Sequence, residues 1–347
     1  MRKALPNRKS ILLIIVLMIQ FLCFYILKPA DFLMLCADAF FKFQQNALGF
    51  LSYINFSVGD VLYVLFGFYL LRLIYLMLRQ KSLQKLGHLL LFANIALLYY
   101  QMSWGLLYHQ SPIPCAKTPE NTNLQEVISL AKKYSQLSSQ SRRAYSLSAQ
   151  FKMDDVSPIF NAILQAQRAL PKPLQKKNIR QSPWQSSLFS VTMNYTGILG
   201  YFNPFSHQAQ YNGHAPHSGL PFTLGHEFAH AMGYAREQEA NYISFKMSQT
   251  SPNMAYRYSG QLYALKSLLS ICKQQDVAVF QSLKKNVDPL VWQDIMAEKA
   301  FYQSHQTWLT DAFLALNDWF LKSNQQEGSI TYSYFVYLLL NDEVLKQ

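Results

Sequence analysis

Hydrophobic positions are unevenly spread along this chain. Residues 11–27 (ILLIIVLMIQFLCFYIL) carry no charge, residues 59–78 are apolar except for Asp60 and Arg72, and residues 89–108 carry none. Each run approaches the roughly 20 residues a helix needs to cross a bilayer. Any one of them could be a buried core helix, but three in the first third of the chain read as membrane spans. Between the first two, Phe32, Leu35, Phe40, Phe41 and Phe43 form an amphipathic pattern within residues 28–57. That pattern predicts a helix lying on the bilayer or under the domain that follows. Residues 109–122 (HQSPIPCAKTPENT) read as a Pro-containing exit linker.

Beyond the linker the period becomes helical, with segments expected at 123–138, 140–151 and 158–170, the last opened by Ser157-Pro158. Further helices are expected at 237–249, 257–272, 275–285, 290–323 and 329–345. Trp308, Phe313, Leu316, Trp319 and Phe320 recur at helical spacing and read as core. Residues 187–202 (SLFSVTMNYTGILGYF) are β-rich and broken near Asn194–Gly197, which predicts a hairpin. Such a hairpin is either structural or an edge that takes up an extended substrate by strand addition.

Charge orients the apolar runs. Arg2, Lys3, Arg8 and Lys9 precede the first, and Arg79, Lys81 and Lys85 lie between the second and third. The loop between the first two sets Lys28 and Lys42 against Asp31 and Asp38. Positive charge stays inside, so the N-terminus is expected in the cytoplasm and everything after Tyr108 outside it. Tyr99, Tyr100, Trp104 and Tyr108 suit the outer interface. A cleaved signal peptide is the rival reading of residues 1–30, but no small-x-small site follows promptly. Residues 1–108 hold ten Lys/Arg against three Asp/Glu, out of a net charge of +12, so much of the excess is topogenic. No basic-aromatic stripe suggests nucleic acid. Four cysteines are too few for a disulfide framework, although Cys115 and Cys272 could pair in an oxidising space.

The most informative stretch is Thr223-Leu-Gly-His226-Glu227-Phe-Ala-His230-Ala-Met-Gly233, followed by Glu237-Gln-Glu239-Ala240-Asn241. Histidines four apart share one helix face, with a carboxylate beside the first. Leu224, Phe228 and Met232 form an apolar stripe roughly opposite them. This is the donor set of a Zn²⁺ hydrolase: His226 and His230 as ligands and Glu227 as the base. Glu237 and Asn241 are spaced i, i+4, which favours Glu237 as third ligand and Asn241 as a hydrogen-bonding support for a ligand histidine. Glu239 is the alternative third ligand. Tyr256, Arg257 and Tyr258 are candidate donors to an oxyanion. His207, His214 and His217 precede the motif in a Gly/Pro-punctuated loop, which could be a second metal site or a loop with incidental histidines.

LPFTLGHEFAHAMGYAREQEANYISF resembles the signature of bacterial membrane proteins catalogued as domain of unknown function 3810. The segments around Gly197–Phe205, Trp104–Tyr108, Tyr258–Gly260 and Phe320–Tyr332 are also similar to segments of that family. One departure is Gln208, near which the resemblance implies an acidic residue. The resemblance implies a zinc metallopeptidase and leaves its substrate open.

The fold expected is mainly α. A membrane domain (1–108) carries three N-terminal transmembrane helices, and the linker leads to a mostly helical zincin-like domain (123–347) with a small β-hairpin or sheet. The expected function is that of a multi-pass inner-membrane zinc metallopeptidase acting on peptide or protein substrates of the envelope. The alternative is a non-catalytic envelope scaffold with a structural or vestigial zinc site.

Overall fold

The computed structural model describes residues 8–344, apart from 28, 81–83, 147, 149, 154, 177 and 181–183. Arg2, Lys3, Lys28 and Lys81, four of the charges weighed in the expected orientation, lie outside the described residues. The chain begins with α1 (Arg8–Phe21), which continues through a wider turn to Ile26, then α2 (Asp31–Ala47), α3 (Val58–Gln80) and α4 (Gln84–Ser103). Three stretches here, Arg8–Ile26, Val58–Arg79 and Leu86–Ser103, are long and apolar enough to cross a membrane. Asn94 of α4 ties the first to the third: its amide donates to Leu13 O (3.1 Å) and accepts from Gln20 (3.0 Å).

The third span ends five residues earlier than its apolar run. The helix stops at Ser103, and Gly105–His109 form a 3₁₀ turn that enters the large domain. Trp104 and Tyr108, expected at the outer interface, are 7% and 2% exposed, because Trp104 packs on Phe202 and donates from Nε1 to the Tyr108 hydroxyl. On α2, Phe32, Leu35 and Phe43 are exposed while Phe41 is buried against Phe202 and His207.

The large domain runs α5 (Leu124–Tyr145), α6 (Ser157–Ala166), β1 (Trp184–Ser186), α7 (Ser190–Thr196), β2 (Gly200–Asn203) and β3 (Gln208–Tyr211). It continues through α8 (Leu220–Ala231), α9 (Glu237–Thr250), α10 (Met254–Gln275), α11 (Val277–Lys285), α12 (Pro289–His305), α13 (Trp308–Ser323) and α14 (Phe335–Val344). Polar side chains set several helix starts. Asn123, Asn253, Asp276 and Asp288 each accept a hydrogen bond from a first-turn amide. Helix α5 is a single helix where two were expected, and the expected 290–323 helix is two. It breaks at Gln306-Thr307, where Thr307 and Thr310 cap each other reciprocally.

One apolar cluster extends from Phe41 and Trp104 through Leu224 and Phe228 of α8 to Leu265 of α10 and Leu339 of α14. Burying side chains from both halves in one core makes the large domain and the domain-side ends of the long helices a single packed unit. Residues 109–122 are correspondingly held down rather than free. Arg236 Nη2 donates to Tyr108 O and Gln110 O, and Ala116 N donates to Asn341 Oδ1. Cys115 is exposed, Cys272 is buried in α10, and both are free thiols, so the optional bridge is not formed.

The sheet has the order β1-β3-β2, with β1 parallel and β2 antiparallel to β3. The hairpin is therefore Gly200–Tyr211, about one strand later than expected. Within the expected hairpin, Ser190–Thr196 form a helix closed by Gly197. The first turn of α3 docks on this sheet. Asp60 accepts from Ser187 Oγ (3.0 Å), Leu188 N (2.7 Å) and the Tyr201 hydroxyl, and Gly59 N donates to Gln208 Oε1 (3.0 Å). Gln208, at the position where an acid was expected, thus serves as a buried joint between helix and sheet.

Candidate metal centre

Helix α8 begins with Pro221 in its first turn, where the missing N–H costs nothing. It closes at Gly233, whose φ of 95° lies in the left-handed region that glycine enters without penalty. The chain then turns at once into α9, so Glu237 opens the second helix one short loop after His230. Leu224, Phe228 and Met232 are at most 1% exposed and fasten α8 to the core. His226 and His230 therefore face the other way, toward α9.

His226 Nε2 lies 3.2 Å and His230 Nε2 3.7 Å from the same oxygen, Glu237 Oε2. One potential ligand atom from each residue falls within 4.8 Å of the other two. The remaining ring nitrogens are already engaged: His226 Nδ1 lies 2.8 Å from Asn241 Oδ1, and His230 Nδ1 lies 2.6 Å from Tyr234 O. Both acceptors call for a proton on Nδ1, which makes each Nε2 the nitrogen that faces the shared point and would ligate an ion there. Two neutral imidazole nitrogens and one carboxylate oxygen make a donor set that suits Zn²⁺ and leaves a fourth tetrahedral position open.

Electrostatics follows from this crowding. Burial opposes charge on His230, but the Glu237 carboxylate outweighs it and raises the imidazole to about 9. Burial likewise opposes charge on Glu237, yet the two imidazoles hold its carboxyl well below the usual range. Burial pushes the Glu227 carboxyl up to about 7, against the opposing pull of His226 and His230. Glu227 Oε2 has no hydrogen-bond partner among the described residues. A buried carboxylate oxygen without a donor is costly unless something at the site uses it.

Glu239 points elsewhere. Its Oε1 accepts from Ile113 N (2.8 Å) and sits 3.4 Å from Arg236 Nη1, clamping the strap that leaves the third long helix. Nor do Tyr256, Arg257 or Tyr258 face the histidines. Tyr256 donates to Ser244 O (2.9 Å), Arg257 to Ser251 O (2.6 Å) and Tyr258 to Asp294 Oδ2 (2.6 Å). His207, His214 and His217 do not converge either. His217 Nδ1 accepts from Met153 N (2.9 Å), and the one three-ligand group among the described residues is His226, His230 and Glu237.

Four features around the site go beyond the residues expected from the sequence. Trp104 packs edge-on against His230, with ring centroids 5.3 Å apart. Gln326 Oε1 accepts from Glu237 N at 3.2 Å. The Tyr263 phenol is raised by burial and then by the Glu237 carboxylate, which places it within that group's field. Gly200 abuts the base, since a Cβ there would lie 2.8 Å from Glu227 Cγ and Oε1. Only Gly200 could have been suspected, as a glycine within a β-rich run often marks a close approach.

No curated protein and no solved structure matches the chain. The model of one family does, over residues 37–340, a range that takes in α3, α4, the sheet and the whole of the histidine site. The chain belongs to the family described as protein of unknown function DUF3810.

Proposed function

We propose that this protein is a membrane-anchored zinc-dependent metallopeptidase that hydrolyses peptide bonds outside the cytoplasm. The observation that carries the reading is the convergence of His226, His230 and Glu237 beside the partnerless carboxylate oxygen of buried Glu227. His226 Nε2, His230 Nε2 and a Glu237 oxygen would hold the ion. Zinc, when bound, supplies a Lewis acid that polarises the scissile carbonyl and the attacking water. Glu227 takes the proton of that water at its carboxylate as the new C–O bond forms. It then delivers the proton to the leaving nitrogen as the C–N bond breaks. Asn241 Oδ1 and Tyr234 O orient the two imidazoles throughout.

Arg2, Lys3, Arg8 and Lys9 ahead of the first apolar run, and Arg79, Lys81 and Lys85 between the second and third, argue for a cytoplasmic N-terminus and a domain in the envelope space. A scaffold with a structural zinc site would have no use for a buried, partnerless base beside its ligands, so the peptidase reading is preferred. The test is casein hydrolysis by the full chain in detergent, before chelation, after it and after zinc is restored, alongside Glu227→Gln. We expect activity that chelation removes and zinc restores, and a variant that keeps zinc without hydrolysis. Zinc bound by the native chain with no turnover would favour the scaffold.

A further inference from the structure

Helix α13 leaves an apolar stripe uncovered. Trp308 and Trp319 are 79% and 65% exposed, and Leu316 beside them is 57% exposed. At 3.6 residues per turn, Trp308, Ala312 and Trp319 fall along one line, while Phe313 and Leu321 turn toward the domain. Asp318 and Lys322, an ion pair at 2.7 Å, flank the stripe on one side. These residues were expected in the core, and the period is the same because an amphipathic helix can satisfy its apolar face against protein or lipid.

Two anchors fix the depth of this helix. At its C-terminal end Phe320 meets the Tyr100 ring, and the Tyr100 hydroxyl donates to Asn324 Oδ1 (3.2 Å). Tyr100 lies three residues before the end of α4, about 4.5 Å of helical rise. At the N-terminal end Thr310 Oγ1 donates to Tyr195 O (2.7 Å), the last turn of α7. The turn entering α7 is in turn held by Asp60, in the first turn of α3, through Leu188 N. Both ends of α13 therefore sit level with the domain-side ends of the two helices that would cross the bilayer. Leu188 and Val191, 57% and 60% exposed, extend the apolar surface between them.

We infer that α13 is an interfacial helix whose Trp308–Trp319 stripe lies in the headgroup–acyl boundary of the leaflet facing the large domain. Tryptophan is enriched at that boundary, where its ring meets both apolar chains and polar headgroups. Lipid is the occupant, because the stripe is continuous in depth with the ends of the apolar spans. The inference is independent of any catalytic activity.

The test is tryptophan fluorescence of the full chain reconstituted into vesicles of phosphatidylcholine and phosphatidylglycerol. The phosphatidylcholine carries either plain acyl chains or chains brominated close to the headgroup. Bromine should quench the native protein, and the Trp308→Phe/Trp319→Phe double variant should lose most of that quenching. Both side chains are exposed, so the variant should fold, and its retained Trp104, Trp184 and Trp292 serve as internal reference. Unchanged quenching in the double variant would overturn the inference. So would water-like red emission from the two tryptophans, or a blue emission insensitive to bromine and lost on dilution, which would mark a second copy on the stripe.

Discussion

Glu237 Oε2 stands 3.2 Å from His226 Nε2, whereas the carboxylate of Glu239, two residues on, holds the amide of Ile113 on another face of the same helix. The two acids should therefore fail differently. Glu237→Gln should lose stoichiometric zinc. Glu239→Leu should keep it and instead unfold more easily, since Ile113 N and the Arg236 guanidinium lose their acceptor, at a cost of about 1–3 kcal/mol. Zinc content and thermal unfolding of the two purified variants separate these outcomes. Zinc retained in Glu237→Gln would exclude that residue as a ligand.

Asn241 touches His226 only through Nδ1, so its effect should be graded. Removing such a support typically weakens metal binding by about 10–100-fold. Competition with a zinc chelator should show a loss of that size in Asn241→Ala, with the fold intact.

Gly200 is the point where the sheet meets the base. A methyl group there would stand 2.8 Å from Glu227 Cγ and 3.0 Å from Gln210 O, leaving the carboxylate as the part that must move. We expect Gly200→Ala to bind zinc normally while hydrolysis falls by at least about 100-fold, the scale at which a displaced catalytic group is felt. Unimpaired hydrolysis would mean that Glu227 is not held by this contact.

Acid should weaken the junction of α5 and α12. Burial opposes the charge of Asp288, but hydrogen bonds from Arg143, Ser139 and Leu290 N prevail and lower its carboxyl. A lowered folded-state value means that the stabilisation is complete above the unfolded aspartate range, near about pH 4. It is lost as pH falls through the folded-state value. Asp288→Ala, which also loses the helix cap, should cost about 1 kcal/mol at neutral pH, and less in acid. Denaturant midpoints across pH would show it.

Much of the site was legible because its spacing is a helical property. His226, Glu227 and His230 on one helix, and Glu237 with Asn241 on the next, follow from i, i+4 geometry and need no tertiary information. Tertiary contacts decided the rest. The apolar run ending at Tyr108 merges a span with a core turn, and only the packing of Trp104 on Phe202 and His230 divides them. Residues 190–196 contain Val191, Thr192 and Thr196 and look like strand, yet they form a short helix beside the Asp60 joint. The α13 stripe has the period of a core helix, and nothing in that period tells which medium it faces. Tyr256 and Tyr258 carry the right chemistry for an oxyanion donor, but they point to Ser244 and Asp294.

X-ray absorption at the zinc edge, on the full chain purified under zinc-replete conditions, tests the central claim most directly. The account predicts one zinc per chain, with two nitrogen neighbours at about 2.0–2.1 Å and oxygen completing the shell at about 2.0–2.2 Å. The signal should vanish in a His226→Ala/His230→Ala variant. A metal-free native protein, or the same zinc shell surviving in that variant, would contradict it.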